Sequence, residues 1–240
     1  MIRINARNLG ELRLKNFCPR CFYLRYHYPV RSENPYYSPM AGVLSILDSY
    51  IKRVVNEAFR RERSLPEWMR KPLNDLEIVE ALVPKREKAL LEDIEISGQP
   101  DAIWRLKDSS VFIVDYKTSQ FGPSQEAILP LYEAQLNAYS YLMEMKGETV
   151  SGLALIYLQP RTYKENNHIP FEVSKTNLTL HFDCAVKLMD KWKREEIESL
   201  LMQAGRVLSL KEPPPGREGC NGCRELDEWL KVLYPKAKGS

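Results

Sequence analysis

Three side chains in the middle of the sequence have types and spacing suited to holding a divalent metal beside an ammonium: Asp101, Asp115 and Lys117. Asp101 closes the stretch Gly98-Gln99-Pro100-Asp101, and Asp115 and Lys117 lie in Val111-Phe112-Ile113-Val114-Asp115-Tyr116-Lys117-Thr118. Side chains alternate along a strand, so Asp115 and Lys117 share a face while Tyr116 points away. A register that sets Asp101 opposite them gathers two carboxylates and an ammonium at one sheet edge. Carboxylates held close repel unless a positive charge lies between them, and a hard divalent cation with oxygen ligands answers that need. A solvated strand end is the bland alternative. Against it stands the apolar run that Asp115 closes, where a buried charge needs a partner.

Those residues require a hairpin. Residues 90 to 106 read as a long extended segment, 107 to 110 (Lys-Asp-Ser-Ser) as a polar turn and 111 to 117 as a buried strand. Residues 126 to 146 have helical character, placing Gln135 and Tyr139 on one helix face at i and i+4. Upstream, residues 41 to 63 carry Leu44, Leu47, Ile51, Val54, Val55 and Phe59 at spacings of three and four, the mark of an amphipathic helix. Lys52, Arg53, Arg60, Arg61 and Arg63 give that helix a basic side, either solvated or facing a nucleic-acid backbone.

Cysteines form a second constellation. Four of the five fall into two Cys-x-x-Cys pairs, Cys18/Cys21 and Cys220/Cys223, near opposite ends of the chain. Two such pairs suggest four thiolates around a metal that staples the first helix to the tail. Glycines around the second pair suggest a tight metal knuckle, and Cys184 reads as a small buried side chain.

The ordered set Gly98-x-x-Asp101, Asp115-Tyr116-Lys117-Thr118 and Gln135-x-x-x-Tyr139 resembles the RecB-like and Cas4-like branch of the PD-(D/E)XK nuclease superfamily. Asn16 to Arg25, with its Cys-Pro-Arg, and the Cys220-x-x-Cys223 tail resemble the flanks of that branch. The resemblance implies an α/β fold with a restriction-endonuclease-like central mixed sheet flanked by helices. It also implies a metal-dependent deoxyribonuclease acting on single strands or duplex ends, with repair, recombination or CRISPR-adaptation proteins as its associates.

On that likeness Asp101, Asp115 and the Tyr116 backbone carbonyl hold Mg²⁺ or Mn²⁺, Lys117 acts in catalysis, and Gln135 and Tyr139 support it. The four cysteines take a [4Fe–4S] cluster; [2Fe–2S] or tetrahedral Zn²⁺ fit the same ligands. In many relatives the helix after a glycine like Gly42 supplies a metal-binding histidine, whereas this chain has Ile46 and Leu47 there. That departure opens a second class, a nucleic-acid-binding or scaffold subunit that keeps the fold with weak or no catalysis. Asp48 offers a substitute carboxylate from the same region.

At 240 residues the chain suits one such domain: a helical part over about 10–88, the catalytic sheet and helix over 89–180, and a terminal helix with its cysteine tail over 181–240. Hydrophobic content of 44% and charged content of 28% exclude a disordered chain, and a net charge of +3 neither excludes nor demonstrates nucleic-acid binding. No run approaches a membrane span and the amino terminus lacks a signal-peptide core, so a cytoplasmic protein is expected. Residues 64 to 88 read as connection with a short helix, 150 to 159 as a strand, 168 to 181 as extended, and 182 to 210 as one amphipathic helix.

Overall fold

The computed structural model describes residues 1–29, 42–70, 73, 76–119, 121–160 and 181–233. Two sheets form the frame. The smaller has order β1–β4–β3, with β1 (Ile2–Asn5) parallel to β4 (Ile94–Gly98) and β3 (Glu87–Leu91) antiparallel to it. In the larger, β2 (Ile78–Leu82), β5 (Ala102–Leu106), β6 (Val111–Lys117), β7 (Val150–Pro160) and β8 (Phe182–Met189) lie side by side in chain order. All its pairs are antiparallel except β6 with β7. The mixed sheet expected from the sequence is therefore present.

One face of the large sheet packs on α1 (Ala6–Gly10), α5 (Pro123–Glu144) and α6 (Arg194–Leu208). The other packs on α3 (Gly42–Glu62) and α4 (Glu67–Arg70) through Ile51, Val55 and Met69. Burial on both faces explains the uninterrupted apolar runs of β6 and β7. Gly10 lets α1 approach α5 closely, because a Cβ there would stand 2.3 Å from the Leu131 carbonyl oxygen. Pro19 opens α2 (Pro19–His27), where its missing N–H costs nothing.

Three expectations are corrected. Residues 90–106 are not one extended segment: a turn at Glu92-Asp93, with Glu92 left-handed at φ 53°, separates β3 from β4, and the chain changes sheets between β4 and β5. The connecting stretch 64–88 also contains β2 and the start of β3, with Glu80 and Lys88 exposed to solvent. Residues 182–210 divide into β8 and α6. Asn137 fixes that division by accepting from the Trp192 N–H at 2.7 Å and donating to the Asp190 carbonyl at 3.0 Å. Cys184 accordingly lies in β8, half-buried, and not at a helix start. The extended segment expected over 168–181 lies outside the described residues but for His181.

Candidate active site and metal centre

The site stands where β6 outruns β5. Register pairs Ala102 with Val114, so Asp101, one step earlier, comes opposite Asp115. Asp101 Oδ2 accepts from the Tyr116 N–H at 2.8 Å, which fixes the carboxylate against the free edge of β6. Along a strand the N–H and C=O of one residue leave by the same edge, so the Tyr116 carbonyl faces the Asp101 side too. Its ring enters the opposite core, as alternation requires.

Asp115 is 3% exposed. Its Oδ1 accepts from Gln135 Nε2 at 3.2 Å, and its Oδ2 meets Lys117 Nζ in an ion pair at 2.5 Å. Burial pushes the Asp115 carboxyl up to about 6; Lys117 pulls it down and Asp101 pushes it further up. Lys117 Nζ also lies 4.1 Å from the centre of the Tyr132 ring, a cation–π contact that holds the ammonium in place.

Gln135 and Tyr139 do meet, as their spacing requires: Gln135 Nε2 donates to Tyr139 Oη at 2.7 Å. Gly98 is needed for that ring. A Cβ there would stand 2.6 Å from Tyr139 Cε1, so Gly98 admits the aromatic side chain and not a substrate. The glycine of the first motif and the tyrosine of the third are thus two sides of one contact.

Sequence reasoning missed two members. Lys52, from α3, pairs its Nζ with Asp101 Oδ1 at 2.7 Å, and Tyr132 flanks Lys117. Lys52 adjoins the core residue Ile51, a position flanking the apolar stripe that a helical wheel exposes. Tyr132 stands seven residues before Tyr139, two turns along the same helix. Ile46 is exposed on the surface of α3, and the side chain of Asp48 lies outside the described residues.

All five residues of the central site are therefore brought together, along with hard oxygen donors. The two opposed carboxylates, with the Tyr116 carbonyl on the same edge, form an all-oxygen donor set that fits a hard divalent ion.

The four paired cysteines also converge. Their sulfurs all lie within 4.8 Å of one another, with Cys18–Cys223 at 3.5 Å and Cys21 at 3.6 Å from both Cys220 and Cys223. Each Cys-x-x-Cys brackets a helix start. Cys18 precedes α2 and Cys21 lies in its first turn; Cys220 precedes α7 (Asn221–Leu233) and Cys223 lies in its first turn. Two helix amino termini thus direct their positive ends at the sulfurs. The tight turn expected at the second pair is present, with Gly219 at φ 66°, and it leads directly into a helix.

Burial pushes the Cys18 thiol up, but the Arg217 N–H at 3.3 Å and the neighbouring thiols donate to its sulfur, giving a net fall to about 6. Burial raises Cys21 and Cys223. One thiolate is therefore stabilised by its neighbours' protons, and a metal replaces those protons when all four ligate. Arg20 joins the two helices through Asp227, Nη2 to Oδ1 at 3.0 Å.

An opposed pair of aspartates with an adjacent lysine thus stands on a mixed sheet between helices. The PD-(D/E)XK nuclease superfamily matches over residues 35–225, most of the sequence, and the chain belongs to that superfamily. Among solved structures, the crystal structure of SSO0001 is similar, with a TM-score of 0.50 and 15% identity over 100% of this chain and 88% of that one. At that identity the likeness is one of fold. No curated protein matches the chain. Among the described residues no helix is long and apolar enough to cross a membrane.

Proposed function

We propose that the protein is a divalent-metal-dependent deoxyribonuclease of the RecB-like and Cas4-like kind. The observation that carries this reading is the register that sets Asp101 opposite Asp115, with Lys117 one step further along the same face. Asp101, Asp115 and the Tyr116 carbonyl would hold Mg²⁺ or Mn²⁺, which supplies Lewis acidity toward a phosphodiester oxygen and an acidified water. Lys117 stands beside Asp115 with its ammonium directed by Tyr132, suited to stabilise charge on the phosphoryl oxygens or to orient the nucleophile. Gln135 holds the Asp115 carboxylate in orientation, and Tyr139 holds Gln135.

Digestion of labelled single-stranded and duplex DNA with Mg²⁺ or Mn²⁺ tests the reading. Cleavage by the wild type that is lost in Asp101→Asn and Lys117→Ala supports it. Binding of DNA with no cleavage in any metal supports the scaffold reading, which the absence of a histidine at Ile46 and Leu47 favours.

At the cysteines the likeness to the four-cysteine branch supports [4Fe–4S], whereas sulfur spacing supports a single ion. Four sulfurs at tetrahedral corners about 2.3 Å from one Zn²⁺ stand about 3.8 Å apart, close to the 3.5 and 3.6 Å separations here. A cluster interposes iron and sulfide and spreads its ligands further. Iron, sulfide and zinc analysis of anaerobically purified protein separates the two, since only the cluster is brown. DNA repair, recombination and CRISPR adaptation are the processes such an enzyme would serve.

A further inference from the structure

Each carboxylate oxygen of the central pair has a partner. Asp101 Oδ1 has Lys52, Asp101 Oδ2 the Tyr116 N–H, Asp115 Oδ1 Gln135 and Asp115 Oδ2 Lys117. Each oxygen keeps a further lone pair, so a divalent ion shared by the two aspartates can leave the neutral N–H donors in place and conflicts chiefly with the ammoniums, whose positive charge it repels. The Tyr116 N–H is backbone in a sheet, Gln135 is 6% exposed, and Lys117 is 16% exposed at its side chain and lies over the Tyr132 ring. Lys52 differs: its side chain is 31% exposed, and it reaches Asp101 from α3, on the face of the sheet opposite α5. Its ammonium is thus the partner that a metal removes with the least disruption.

We propose that Lys52 is an internal competitor of the metal. The Lys52–Asp101 pair and a divalent ion on Asp101 Oδ1 exclude each other, so Lys52 sets the concentration at which the ion binds. The proposal rests on the metal-site reading above and adds a residue outside the expected ligand set. Thermodynamic linkage makes the effect reciprocal: whatever the pair contributes is subtracted from metal affinity, and removing the ammonium restores it. Lys52 acts through Asp101 and is therefore a positioning residue.

Mn²⁺ titration of the full chain, followed by the electron paramagnetic resonance of free Mn²⁺, tests this in the wild type and in Lys52→Met, Lys52→Gln, Arg53→Met and Asp101→Asn. Arg53 is the control for general charge, because it lies next to Lys52 on α3 but bonds the Ser49 carbonyl. Both Lys52 variants are expected to bind Mn²⁺ at least about fivefold more tightly and to show a larger Mn²⁺-induced rise in Tm. Arg53→Met is expected to stay within about twofold of wild type. Unchanged or weaker binding in the folded Lys52 variants overturns the proposal, as does equal tightening in Arg53→Met. Loss of Mn²⁺ binding in Asp101→Asn alongside an unchanged Lys52→Met removes the competitor and leaves the metal site standing. Wild-type affinity in Asp101→Asn removes both.

Discussion

The carboxylate site and the cysteine site solve opposite problems. Asp101, Asp115 and Lys117 come from one hairpin, the Tyr116 N–H lying 15 positions from the Asp101 it bonds, and their charges are balanced by lysines of the chain itself. The cysteine site joins residues 205 positions apart, and its sulfurs face one another at 3.5 Å. The first is assembled by the fold and is electrostatically complete before any ion arrives. The second brings distant parts of the chain together, and a metal or cluster held there would supply much of the energy that joins them. Metal removal should therefore silence one site and loosen the other.

The largest effect expected from this contrast is on catalysis without stability. Lys117→Ala should cut metal-dependent DNA hydrolysis by at least about 100-fold, with a Tm close to wild type when the two are compared by calorimetry. A comparable fall in Tm would mean that the ammonium is structural. The converse is expected at the cysteines: Cys18→Ser should release bound metal and destabilise the protein by about 3 kcal/mol or more in urea unfolding. Residual DNA cleavage by the fraction still folded would keep the two sites distinct.

Gly98→Ala bridges them in kind, since it damages the active site through packing. Displacing the Tyr139 ring should cost about 1–3 kcal/mol and lower kcat through the Gln135–Asp115 contact; Tyr139→Leu should restore part of the stability but not kcat, since it removes the hydroxyl that Gln135 donates to.

A pH titration sharpens the comparison further. Because burial raises Asp115 to about 6 from an ordinary 3.8, the native state keeps a proton that the unfolded chain has lost within that window. Metal-free stability from this group should thus fall as pH rises from 3.8 to about 6 and level off above. Mn²⁺ affinity should move the other way, weakening up to about tenfold per pH unit below that upper value, because protons compete for the ligand. The smallest effect is expected from Arg20→Ala, which loses a half-exposed ion pair between α2 and α7 and should cost under about 1 kcal/mol.

The site was legible because its determinants are local. An apolar run ending in Asp-Tyr-Lys, a polar turn and a 3.6-residue period from Gln135 to Tyr139 are each written within a few residues, and their registers follow. What was not legible depended on distant partners. Ala185, Leu188 and Met189 of β8 satisfy helical spacing, whereas strand alternation turns Ala185 and Met189 to the core and leaves Leu188 exposed on the other face. Only pairing with β7 and the Asn137 clamp decide between them. Strands β2 and β3 carry charge on their open faces and so lack a buried run. Lys52 reads as one of five basic residues on a helix until α3 is laid against the sheet. The helical start at Cys220 was hidden for the same reason, since the glycines around it suit a turn equally well.

The passage of the chain from β4 into β5 has a mechanical corollary. Asp101 sits three residues past the end of a strand held between β1 and β3, so the small sheet is the footing on which one jaw of the carboxylate pair is mounted. Damage to Ile2 or Ile4, far from any reacting atom, would tilt that footing and open the jaw while leaving every chemical group in place.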